Sequence, residues 1–407
     1  MMVAGGGLRA VAGVVLRHRQ QTAAVARVAG VRLLSSSPSA SLSSSRDDLA
    51  SVLGEVRPRS SITNKLWRAR NSITKEDAHK PSQVLTKTMA DSYTEVCLPF
   101  STDKLLQEEY LTYAGSIRVG KILEDLDALA GTIAYRHCDD TTHYGPLTIV
   151  TASVDRITLL KHCGKQVATF TMVARDPVTK SAYPVNKLKA TTPEEEEIMK
   201  LGEHNKRVRK REREQSVHRQ PPTEEERLIV HDLYLRSKDT TRKRPLDTLW
   251  MVDTQRQSMR MCHPIERNIH NSIFGGFIMR EAFEIGWMTA VLAVKDHPFL
   301  LAVDDISFQH PVEIGSLLTF SSMITYAPGN DSRALQVDVR AEVISPTTGQ
   351  SKVTNTFHFT FSAPHPTVPT VLPRTYEESM WYLDGRRRFL KSREECRQLC
   401  PDLLKYY

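Results

Sequence analysis

No run in the 407-residue chain approaches the ~18 consecutive apolar residues that a membrane-spanning helix requires, so a soluble protein is expected. Cysteine is scarce and scattered: Cys97, Cys138, Cys163, Cys262, Cys396 and Cys400 form no CxxC pair. That argues against a disulfide framework or a zinc site and suits a reducing compartment; no metal and no cofactor are assigned. Acidic residues are missing altogether before Asp47, although Arg9, Arg17, Arg19, Arg27, Arg32 and Arg46 lie in that stretch and residues 35–45 are mostly serine. An N-terminus rich in Arg and Ser and free of acid has the composition of a mitochondrial transit peptide. The competing reading of the short apolar run Ala10–Leu16 is a secretory signal, but arginines on both sides of it break such a region.

What the chain does contain is a repeat. Asn268–Met279 is a polar loop running through Gly275 and Gly276 into an apolar, helix-compatible segment, and Thr112–Leu123 has the same skeleton with Gly115 and Gly120. Each is followed by a strand-like echo, Val154-Asp155-x-Ile157 in the first copy and Val303-Asp304-x-Ile306 in the second. A tandem of one domain type follows, with the chemistry expected between the copies.

The organisation is then 1–46 leader, 47–90 polar lead-in, 91–186 first domain, 187–245 charged and partly helical linker, 246–365 second domain, and 366–407 C-terminal helix and tail. Tyr93, Val96 and Leu98 alternate with polar neighbours, which predicts a strand over Ser92–Phe100; Met259 and Met261 play that part in the second copy. Ile122, Leu123, Leu126, Leu129, Ala130 and Ile133 predict a long helix, whose counterpart starts at Phe277 and ends near Val294. In the linker, Thr192-Pro193 and Thr223–Glu226 are helix starts. The basic run Lys206–Arg213 is interleaved with Glu and reads as a solvated helix face rather than a nucleic-acid patch, so no nucleic-acid partner is expected. The copies are unequal. Strands fit between Asp304 and Thr356–Thr360 in the second, whereas Thr169–Val173 follows Asp155 almost at once, so the first copy is expected to be short by two or three strands.

These residues, with Val303–Gly315 reading Val-Asp-x-Ile-x-Phe-x-x-Pro-Val-x-x-Gly, resemble the tandem hotdog acyl-CoA thioesterases of the mitochondrial thioesterase 9 type. The resemblance implies an α+β fold of two tandem hotdog domains, each an antiparallel sheet wrapped around a long central helix. It also implies hydrolysis of fatty acyl-CoA to free acid and coenzyme A, a homo-oligomer, and a mitochondrial, matrix location. Coenzyme A enters as part of the substrate. Within it Asn268 matches the family's catalytic Asn, and Gly276 with Gly275 can present backbone N–H groups to an oxyanion at a helix N-terminus. Glu109 is the expected general base, with Glu108 and Glu266 as the other acids in the corresponding loops; His270 and Phe274 are expected to line the pocket. Asp155 and Asp304 are expected to be structural.

Two rivals remain. Asp305-x-x-x-x-His310 has the spacing of a hydratase pair, but on a strand after the helix rather than in the loop before it. A catalytically impaired acyl-CoA-binding hotdog protein follows if the shortened first copy cannot support the reaction.

Overall fold

A computed structural model describes residues 10–15 and 84–407 apart from 97, 99, 101, 139–147, 155–156, 161–164, 177–178, 180, 218, 243–246, 269–270, 305, 330–331 and 400. Most of the leader and lead-in expected over 1–90, and with them the transit-peptide reading, lie outside the described residues. Ahead of the first long helix come β1 (Ala10–Val15), β2 (Thr86–Thr88), α1 (Met89–Ser92) and α2 (Lys104–Tyr110). Helix α3 (Val119–Cys138) is followed by β3 (Thr148–Val154), β4 (Ile157–Leu160), β5 (Lys165–Arg175) and β6 (Lys187–Lys189). Two charged helices, α4 (Pro193–Glu214) and α5 (Glu224–Arg242), lead to β7 (Thr248–Trp250) and β8 (Arg256–Met261). Helix α6 (Gly275–Val294) precedes β9 (Phe299–Val303), β10 (Ile306–Ser307), β11 (Leu317–Tyr326), β12 (Ala334–Ile344), β13 (Ser351–Ser362) and β14 (Thr370–Leu372); α7 (Tyr376–Leu399) follows.

The register unites the two helix-plus-strand units in one sheet. Strands β3 and β4 run in line along one edge of β5, with Val154 opposite Phe170 and Thr158 opposite Val167. Strands β9 and β10 run in line along their other edge, with Val303 opposite Ile157 and Ile306 opposite Val154. From β9 the sheet continues antiparallel through β13, β12 and β11 to β8, and β1 closes the far side of β5. Alternation sends Val337, Val339, Phe357, Phe359 and Phe361 to the core face, where α3 and α6 lie. Gln336, Asp338, His358 and Thr360 alternate with them, and α7 covers that opposite face through Tyr382, which packs edge-on against Tyr326 at 5.0 Å.

Local chemistry accounts for the linker helices. Thr192 accepts a hydrogen bond from the Glu195 amide with Pro193 behind it, and Thr223 and Glu226 exchange both bonds of a capping box. The strand expected over Ser92–Phe100 does not form: its described residues are a helix end, irregular backbone and a turn. The reason is a missing neighbour. In the second unit β8 pairs with β11, whereas in the first unit only residues 161–164 separate β4 from β5, and among the described residues no strand pairs with Ser92–Phe100.

Candidate active site

The loops that launch α3 and α6 share one hydrogen-bond pattern. The Thr112 amide donates to the Ser116 carbonyl at 2.7 Å, and the Asn268 amide donates to the Ser272 carbonyl at 2.7 Å. The Ser116 amide returns to Thr112 Oγ1 and the Ser272 amide to Asn268 Oδ1, both at 3.2 Å. Gly115 and Asn271 occupy the left-handed position of each turn (φ 75° and 62°), a conformation Gly and Asn tolerate. This register equates Tyr110 with Glu266, Thr112 with Asn268, and Gly120 with Gly276.

Each of those two glycines seats the other unit's helix. A Cβ on Gly276 would stand 2.8 Å from the Glu124 carbonyl oxygen, and one on Gly120 would stand 3.1 Å from Arg280 Cγ. Around this close approach Glu124 takes Lys121 at 2.9 Å and Arg280 at 3.5 Å, while Arg118 reaches Glu284 at 2.7 Å. The helices are thereby locked with the N-terminus of α6 aimed at one turn of α3.

That turn carries Asp127, which is 2% exposed. Thr151 on β3 donates its hydroxyl to Asp127 Oδ1 at 2.6 Å, and the Gly276 amide opening α6 donates to the same carboxyl. Burial pushes the group up to about 6; the bonds from Thr151 and Gly276 pull the other way, and the Glu124 charge adds to the rise. Helix α6 has no side-chain N-cap, so its first turn presents amides to oxygen atoms at this end. Seven residues beyond Gly120 lies Asp127, and seven beyond Gly276 lies Phe283, whose ring packs edge-on against Phe359 at 5.7 Å. The acid therefore occurs in one unit and an aromatic ring in the other.

The expected site residues fall as follows. Gly275 and Gly276 stand at the α6 N-terminus beside Asp127, with Asp127 Oδ2 only 3.1 Å from where a Gly275 Cβ would sit. Phe274 is the half-buried N-cap residue, its ring against Gly276. Asn268 is half-buried in the loop turn described above. Glu109 and Glu108 are exposed on α2, with no hydrogen bond to Asp127, and Glu266 caps the short turn Pro264–Glu266 by accepting the His263 amide at 2.8 Å. His270, Asp155 and Asp305 lie outside the described residues. Asp304 is buried beneath β12, where Gln336 approaches it at 3.4 Å.

Asp127 was not among the expected residues. Its signal was present: it shares a helical face with Leu123, Ala130 and Ala134, and an acid on the apolar face of an amphipathic helix requires a buried partner. Asp125 in the same turn is different, since it faces Tyr110, whose hydroxyl donates to it; burial raises Asp125 to about 6.

No family model matches the chain. Among curated proteins it is 41% identical over 346 residues to mitochondrial acyl-coenzyme A thioesterase 9 of Bos taurus, covering 74% of this chain and 78% of that protein. The human counterpart is 40% identical with the same coverage. The chain belongs to the acyl-coenzyme A thioesterase 9 family. The family resemblance extends to chloroplastic acyl-coenzyme A thioesterase 2 of Humulus lupulus, 33% identical over 385 residues, 80% of this chain and 88% of that one. Among solved structures, an acyl-CoA hydrolase of Staphylococcus aureus aligns at 22% identity and TM-score 0.35, over 39% of this chain and 98% of that chain.

Proposed function

We propose that this thioesterase 9 family chain hydrolyses acyl-CoA thioesters in the mitochondrion, and that the reaction takes place where Asp127 meets the N-terminus of α6. The observation that carries the site is the buried Asp127 carboxyl, supplied by the first unit and hydrogen-bonded to the Gly276 amide of the second. At mitochondrial pH an acid titrating near 6 is mostly ionised and still basic enough to take a proton from water. Asp127 removes that proton, the hydroxide attacks the thioester carbonyl, and the C–S bond breaks with coenzyme A leaving as the thiolate. As Asp127 gains the proton it needs the Gly276 amide less, and that donor becomes available to the oxyanion. Thr151 holds the carboxyl in place throughout, and Asn268 orients the water or the carbonyl.

Asp127 replaces Glu109 in this reading as the general base. Free-thiol release from acyl-CoAs tests it: Asp127→Asn lowers kcat by about 10²–10⁴, whereas Glu109→Gln stays near wild type. Loss of turnover on Glu109→Gln with Asp127→Asn active would return the role to Glu109.

The matching loops, glycines and helices support two tandem hotdog units spanning about 91–186 and 246–365, the first lacking counterparts of β11 and β12. A matrix location and a homo-oligomer, read by light scattering, belong to the same proposal. One observation favours the impaired, binding-only alternative. The far edge of β5 is closed by Ala10–Val15, which lies inside the segment read as a cleavable leader. A chain lacking residues 1–46 would present that edge unpaired. If it binds acyl-CoA by calorimetry without releasing thiol, while the full chain turns over, the alternative holds for the processed form.

A further inference from the structure

The face of the sheet opposite the central helices carries a concentration of charge that the thioesterase reaction does not use. Asp338 on β12 stands directly opposite His358 on β13, with Asp338 Oδ1 and His358 Nδ1 2.9 Å apart. Helix α7 lies over the pair and adds Asp384, and the three side chains bring ligand atoms within 4.8 Å of one another. The helix can come this close because Gly385 follows Asp384: a Cβ there would stand 2.7 Å from Thr325 Oγ1. We propose that Asp338, His358 and Asp384 form a divalent transition-metal site, of Zn²⁺ type, that straps α7 to β12 and β13.

An observation beside the clustering points to a cation. His358 is 8% exposed, and both its Nδ1 and Asp338 Oδ1 lack a hydrogen-bond partner despite their closeness. A buried imidazole nitrogen and carboxylate oxygen held this close outside hydrogen-bond alignment suit a shared positive ion. Arg388 Nε holds Asp384 Oδ2 at 3.0 Å beside the pair.

The donor set selects the metal. One imidazole with two carboxylates suits Zn²⁺ and its neighbours, whereas Ca²⁺ and Mg²⁺ prefer oxygen alone. Zn²⁺ bonds of about 2.0–2.2 Å set tetrahedral ligand atoms roughly 3.4 Å apart, so binding opens the 2.9 Å His358–Asp338 pair by about half an ångström, draws in any pair near the 4.8 Å limit by about 1.4 Å, and leaves a fourth position for water. Arg388 then acts on the outer oxygen of Asp384 and fixes its orientation.

The test uses the full-length, tag-free chain, stripped with a chelator and dialysed against micromolar Zn²⁺. Wild type is expected to retain one more zinc per chain by elemental analysis than Asp338→Asn or His358→Gln, and to gain several degrees in Tm on Zn²⁺ addition that neither variant gains. Equal zinc content and equal Tm response in all three would overturn the proposal. Should the variants fail to fold, Co²⁺ added to stripped wild type decides. Visible d–d absorption saturating at one equivalent and displaced by Zn²⁺, with one imidazole and carboxylate oxygens seen by X-ray absorption, supports the site; sulfur ligation or no saturable absorption overturns it.

Discussion

Replacing Asp127 by Asn should lower kcat by about 10²–10⁴ and, above pH 6, relieve a folding cost. Free aspartate titrates near 3.8, and burial lifts Asp127 to about 6 in the folded chain. Between these values the unfolded chain has released the proton that the folded chain still holds, so stability falls as pH rises. Below 3.8 both states are protonated and the loss is nil; above about 6 both are ionised and the loss is complete. A gap of about 2 pKa units at 1.36 kcal/mol each amounts to roughly 3 kcal/mol, in the window from about pH 4 to 6. The assay is urea unfolding of wild type and Asp127→Asn at pH 4 and pH 7.5. The variant's own packing penalty, such as an amide NH₂ turned toward the α6 N-terminus, is the same at both pH values and cancels in the double difference. Asp125 is also raised to about 6, but it is present in both proteins and cancels too. Stability of the variant relative to wild type should therefore rise by roughly 3 kcal/mol from pH 4 to 7.5. Identical pH slopes in the two proteins would refute the reasoning, because Asp127 would then not be a desolvated acid.

Two further predictions concern the packing that positions the site. Gly276→Ala places a methyl 2.8 Å from the Glu124 carbonyl oxygen and should cost about 1–3 kcal/mol in urea unfolding together with most of the activity, whereas Gly131→Ala in α3, where a Cβ meets nothing within 4 Å, should stabilise by about 0.5–1 kcal/mol. Arg387 on α7 grips both oxygens of Glu226 on α5 at 2.6 Å, and its hydrogen bonds hold that carboxyl down at about 2 from 4.5. Glu226→Gln should cost about 1–2 kcal/mol, the lower part of the range because Arg387 is a third exposed. A group with a lowered pKa contributes its stability above 4.5 and loses it as pH falls toward 2, so the cost of Glu226→Gln should shrink over that window in acid unfolding curves.

The amino-acid sequence by itself determined the long helices, through the 3.6-residue spacing of Leu123, Leu126 and Ala130, and their counterpart through the loop skeleton that Thr112 and Asn268 share. It determined the starts of α4 and α5 too, because Thr192 and Thr223 act on amides three residues away. Such features depend on neighbours in sequence. The irregular backbone after Ser92 could not be read that way, since strand propensity is satisfied only if a partner strand exists, and among the described residues none pairs with it. Asp127 falls on the apolar face of α3 with Leu123 and Ala130, which points to burial, but its partner, the Gly276 amide, comes only with the arrival of the α6 N-terminus. Asp338, His358 and Asp384 lie on three elements separated by turns and loops, and their meeting depends on the β12–β13 register and the seating of α7 at Gly385. Tertiary structure decided which groups meet at these sites, because proximity, which sets the partners of an acid and the coordination of a cation, belongs to the packed elements and not to any one segment.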